Sequence, residues 1–222
     1  MTKLKEIYEE LRSVLSGKTL DAMIPTFAFV IANSLFNLNV AIISSITLSF
    51  ILGLIRVVRK QTIVYAFVGL LGVLFASALA FLAQNATNFF LPGIISSLFI
   101  VIAALISLII GKPIAAYASH ITRAWPLQWF WRKDVKPAYR EVTYVWFAYF
   151  LARLVIQIIL YFGSDINQLV WVNTLTGLPV LIIVLIFSYV YGIWRLNHLK
   201  GPSVDEFLEK KEPPFVGQKR GF

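Results

Sequence analysis

Arg153 is the residue whose presence most needs a chemical reason. It lies in an apolar stretch, 13 residues after Arg140 and 10 before Gly163. In a helix that spacing puts it roughly 15–20 Å from either flank. Tyr149, Arg153, Gln157 and Tyr161 recur every four residues, which lays a polar stripe along one helix face. A guanidinium at that depth in hydrocarbon costs on the order of 3 kcal/mol even on the gentlest scale. Either backbone and amide oxygens satisfy it, or an anionic group visits it. Asn173, Thr174 and Thr176 are among the neutral groups available for the first role. Two readings therefore stand side by side: hydrogen bonds that fasten helices, or a site for a small polar or anionic solute or a lipid headgroup. Asp21, four residues before Pro25, is the second candidate. It is either a functional carboxylate or one that faces the positive end of its own helix.

Other chemistries lack their residues. With no cysteine in 222 residues, disulfides, thiolate catalysis and thiolate metal sites are excluded. The two histidines, His120 and His198, are too few for a multi-histidine metal or haem site. No paired-histidine zinc motif, nucleophile elbow or phosphate-binding glycine loop occurs. The expectation is a non-enzymatic protein with no catalytic residues, metal or cofactor.

The elements that must hold the polar stripe are set by composition. Hydrophobic residues make up 59% of the chain and charged residues 14%, and the mean hydropathy is +0.77. A soluble domain carries about 25% charge, so a water-soluble globular protein is excluded. Long apolar runs at 20–36, 40–58, 62–83, 91–110, 142–162 and 169–194 predict a six-helix, all-α polytopic membrane protein. Residues 111–141 form a loop at the membrane interface. Residues 3–15 place Leu4, Ile7, Tyr8, Leu11 and Val14 at helical spacing, so 1–19 reads as an amphipathic helix. The segment 195–222, with Pro202, Pro213 and Pro214 among charges, reads as a disordered tail.

The net charge of +9 needs no nucleic acid. In the six-span scheme, 19 of the 20 Lys and Arg fall on one side and the twentieth is Arg153. Positive charge collects in cytoplasmic loops, so both termini are expected in the cytoplasm. Gly72, Ala76 and Ala80 in the third run recur every four residues, a face suited to close helix packing. Whether that face packs within one copy or makes a homo-oligomer stays open, and the bilayer is the partner the composition requires.

Arg56-Val57-Val58-Arg59-Lys60-Gln61, Val68-Gly69-Leu70-Leu71-Gly72-Val73 and Phe90-Leu91-Pro92-Gly93 together resemble a bacterial membrane family. It is catalogued as domain of unknown function 3159. Trp131-Arg132-Lys133-Asp134 and Arg153-Leu154-Val155-Ile156-Gln157, ending at Tyr161, also look like it. The resemblance covers roughly 17–194 and implies a bacterial inner-membrane protein, with Arg153 and Gln157 at family-like positions. A weaker similarity, through Gly111-Lys112-Pro113-Ile114 and the tryptophan-rich loop after it, is to intracellular septation protein A. That one implies a scaffold in envelope or division organisation. Neither supplies a substrate, so the functional expectation is a transporter or channel for a small polar or anionic solute, with the scaffold as the alternative.

Overall fold

The computed structural model describes residues 17–60 and 63–222. The side chains of 17–23, 63, 65–66 and 178 lie outside that description, as does the amphipathic segment expected at 3–15. Among the described residues every regular element is helical. In chain order they are α1 (Gly17–Leu35), α2 (Leu38–Val58), α3 (Ile63–Leu82), a 3-10 turn (Ala86–Phe90) and α4 (Leu91–Ile109). Then follow α5 (Ile114–Arg123), α6 (Leu127–Phe130), α7 (Lys136–Phe162), α8 (Ile166–Thr176), α9 (Leu178–Leu199) and α10 (Val204–Leu208). Four stretches are long and apolar enough to cross a membrane: Leu38–Val58, Ala86–Ile109, Lys136–Phe162 and Ile166–Leu199. Ile24–Leu35 and Phe67–Leu82 are shorter apolar helices. A count of six spans is reached only if both of these cross as well.

The chain divides into two compact units. One comprises the residues up to Ser96 with Val155–Gly177, the other Ser97–Leu154 with Leu178–Phe222. In the first unit α1, α2 and α3 pack against one another. Asn37 starts α2 by accepting from the Val40 amide at 3.0 Å, which satisfies one of the donors a helix start leaves bare. Phe29 of α1 stacks on Phe89 of the 3-10 turn at 3.9 Å, and Ala41, Ala76, Ala80, Leu169 and Val170 complete this core. The small-residue face of α3 splits. Ala76 and Ala80 are buried, whereas a Cβ at Gly72 would meet nothing within 4 Å. The Ser45 and Ser77 hydroxyls lie 3.5 Å apart between α2 and α3.

In the second unit, Gly111 ends α4 in the left-handed region at φ 73°. The Gly111 amide donates to Leu108 and the Lys112 amide to Ser107, the paired closing bonds of a Schellman motif. Pro126 separates α5 from α6. Trp129, Phe130, Val135, Ala138, Tyr139 and Leu196 form the aromatic core of this unit.

Two expectations are corrected. The apolar run at 169–194 is not one helix: α8 begins at Ile166 and stops at Thr176, and α9 begins at Leu178. A Cβ at Gly177 would lie 2.4 Å from the Asn173 carbonyl oxygen, so only glycine fits that backbone. Pro179, lacking an amide hydrogen, is placed where a new helix needs none.

The second correction is the tail, which is folded rather than disordered. Residues 195–199 simply extend α9. Ser203 caps α10 in a capping box with Glu206, and the Trp129 indole donates to the Pro202 carbonyl at 2.9 Å. Phe222 stacks on Tyr139 at 4.3 Å, in a slot that exists because residue 192 has no side chain: a Cβ there would lie 2.2 Å from the Phe222 ring. Charge and proline make such a segment look unfolded, yet aromatic burial against distant helices outweighs its ordering entropy.

Candidate functional site

The polar stripe of α7 falls in both compact units, 136–154 in one and 155–162 in the other, and each part is built separately. In the first unit, Gln157 is 1% exposed and its amide nitrogen donates to the Asn173 side-chain oxygen at 2.5 Å. Asn173 sits on the last turn of α8, where the close approach of Gly177 to the Asn173 carbonyl ends the helix. The Gln157 side-chain oxygen is buried and has no hydrogen-bond partner among the described residues. One turn further along, the Tyr161 hydroxyl donates to the side chain of Asn88 within the 3-10 turn. The two bonds tie α7 to α8 and to the turn before α4, through neutral amide and phenol groups.

The second unit holds the other half of the stripe. Arg153 is half-buried, and its guanidinium shares a hydrogen bond with the Tyr149 hydroxyl, four residues earlier. Of the sequence-predicted site residues, the structure thus joins Gln157 with Asn173 and Arg153 with Tyr149, and gives Tyr161 the partner Asn88. Asn173, expected among the neutral partners of Arg153, bonds Gln157. Asp21 lies on α1, with its side chain outside the described residues.

Two features escaped the sequence reading. The first is the helix break at Gly177, whose signal was the Gly177-Leu178-Pro179 triplet inside an apolar run. The second is a charged clamp between α7 and α9. Arg195 donates to both oxygens of Glu141, Nε to Oε2 at 2.8 Å and Nη2 to Oε1 at 2.9 Å, and the Tyr191 hydroxyl donates to the same carboxylate at 2.7 Å. Glu141 and Arg195 are 54 residues apart in the chain, so no local spacing pairs them.

At the tail, Glu206 accepts hydrogen bonds from the backbone amides of Ser203, Val216 and Gly217. Those amides, Ser203 first and then Val216, stabilise the carboxylate and pull its pKa down to about 2. Among the described residues no group of three or more His, Cys, Asp or Glu could hold a metal ion.

An all-helical chain with several helices apolar and long enough to span a membrane, and with amide and guanidinium groups inside them, is the class this architecture defines. Within that class the family is shown. The chain belongs to the family described as protein of unknown function DUF3159, whose model matches residues 16–198. That match takes in the six apolar runs and stops short of the folded tail. No curated protein and no solved structure matches the chain.

Proposed function

We propose that the protein is a non-enzymatic, six-span protein of a bacterial cytoplasmic membrane that passes a small polar or anionic solute. The observation that carries the reading is the Gln157–Asn173 pair beside the break at Gly177. Eleven residues of α8 rise about 16 Å, half of a hydrocarbon core about 30 Å thick. A helix that breaks there exposes backbone groups where lipid cannot satisfy them, and such breaks are tolerated where they line a cavity or meet protein. The buried oxygen of Gln157 is an acceptor left over for a solute donor. The preference for an anionic solute rests on the sequence alone, where Arg153 and Gln157 stand four residues apart in an apolar run.

Orientation follows from the basic loops, with both termini cytoplasmic. Since the chain has no cysteine, single cysteines replacing Asn39, Asn85 and Asp165 report topology directly. All three label from outside; labelling of any one solely from the cytoplasm overturns the scheme.

Function is tested by solute flux into liposomes that hold the wild type, Gln157→Leu or Arg153→Leu. Flux is expected for the wild type and is lost on Gln157→Leu, while Arg153→Leu loses anions more than neutral solutes. A wild type no more permeable than empty liposomes contradicts the transport reading and leaves the scaffold role in envelope or division organisation.

A further inference from the structure

Near the end of α4 the second unit carries three cations that no carboxylate among the described residues answers. Lys112 follows the left-handed Gly111, and a Cβ built on Gly111 would lie 3.3 Å from the Lys136 ammonium. Arg140 is one turn after Lys136 on α7, and its Nη2 donates to the Tyr144 hydroxyl at 3.2 Å. Among the described residues no ion pair involves Lys112, Lys136 or Arg140. The nearest carboxylates in sequence are already engaged: Asp134 holds Arg132 at 2.7 Å and Glu141 holds Arg195 at 2.8 Å.

The connector between α4 and α5 is fixed in place. The Ile114 amide donates to the Ser107 hydroxyl at 3.1 Å and the Ala115 amide to the Thr143 hydroxyl at 3.3 Å. Lys112 is therefore presented from a rigid turn, which lowers the entropy lost when it binds.

We propose that Lys112, Lys136, Arg140 and Tyr144 form a binding site for the phosphate of an anionic membrane lipid. Two ammonium groups and a guanidinium supply donors and charge for a phosphodiester. Tyr144, having accepted from Arg140, keeps its own proton to donate. The choice of a lipid over a free anion comes from what adjoins the cations. Ile109 and Ile110, which immediately precede Gly111, are 75% and 63% exposed, and Tyr144, about two turns into α7, is 46% exposed. Acyl chains lie along these apolar side chains while the headgroup meets the cations, at the boundary where a basic surface gains most from anionic lipid. The site does not depend on the transport reading, because none of its residues belongs to the Gln157 or Arg153 sites.

The test is lipid binding to the full chain in neutral detergent, read by native mass spectrometry with phosphatidylglycerol, phosphatidylcholine or inorganic phosphate as probe. The wild type prefers phosphatidylglycerol. Replacing all three cations by glutamine weakens that binding on the order of a hundredfold at low salt, and Lys112→Gln alone does so about fivefold. Lys210→Gln with Lys211→Gln, on the tail, changes nothing. Should the triple variant fail to fold, the exposed Lys112 decides the matter alone. Equal binding of the two lipids, a triple variant that keeps its preference, an unaffected Lys112→Gln, or displacement of the lipid by millimolar inorganic phosphate overturns the proposal.

Discussion

In the unit built on α1, α2, α3 and α8, three side-chain contacts between elements join neutral groups. Gln157 bonds Asn173, Tyr161 bonds Asn88, and Ser45 faces Ser77. In the unit that holds α5, α6, α9 and the tail, ion pairs stand beside neutral bonds such as that of the Trp129 indole to Pro202: Glu141 pairs with Arg195 and Arg132 with Asp134, and the Glu206 carboxylate accepts from three backbone amides. The difference follows the solvent each region is suited to. An unpaired charge in hydrocarbon is costly, whereas an amide pair leaves no net charge to solvate. Near water a carboxylate is cheap to keep ionised, and an ion pair then fixes geometry more than it adds stability.

The largest effect expected on that comparison is at the helix break. Gly177→Ala drives a methyl to within 2.4 Å of the Asn173 carbonyl oxygen, and backbone, unlike a side-chain tip, cannot swing aside. Thermal unfolding in detergent then shows a loss of about 1–3 kcal/mol. An unchanged midpoint would mean that the break carries no constraint.

A smaller effect is expected at the clamp. Glu141→Gln removes the charge that holds Arg195, and the side chains of this pair are 32% and 31% exposed, so water screens much of it. The midpoint falls by a few degrees at low salt, and the deficit shrinks as salt is raised. Gln157→Leu in the same assay costs about 0.6 kcal/mol, typical of interhelical hydrogen bonds in membranes. Its deficit is insensitive to salt. Equal salt dependence for the two variants would erase the distinction between the units.

The smallest effect lies in acid. The Glu206 carboxyl titrates near 2 in the folded tail and near 4.3 in an unfolded chain. Its contribution is therefore complete above about pH 5 and declines as the pH falls toward 2. Proteolysis of the tail should accelerate over that acid range in the wild type. In Glu206→Gln the tail is already more open at pH 7, and its cleavage rate changes less with acid.

Much of this architecture is visible in the residues alone, because apolar runs of helical length have few alternatives in a bilayer. The stripe from Tyr149 to Tyr161 is legible for the same reason: four-residue spacing fixes a face whatever the tertiary fold. Partners are not legible. Nothing near Gln157 in the chain points to Asn173, 16 residues on, because that contact is made by a turn and a second helix. The break at Gly177 hides in uniform hydropathy, since an apolar run reads the same whether continuous or interrupted. The tail misleads for a different reason. Its order depends on a glycine in α9 and a tyrosine in α7, neither of which is visible from its own composition.

The claim on which the functional reading depends is that water reaches the Gln157–Asn173 pair. In a chain without native cysteine, Thr174→Cys places a single thiol beside Asn173, and its reaction with a membrane-impermeant charged thiol reagent in sealed liposomes measures that access. The account predicts modification at a rate well above that of Ile158→Cys, on an exposed apolar face of α7, and slowed by the transported solute. A Thr174→Cys thiol as inert as that apolar control, with the protein folded, would contradict it.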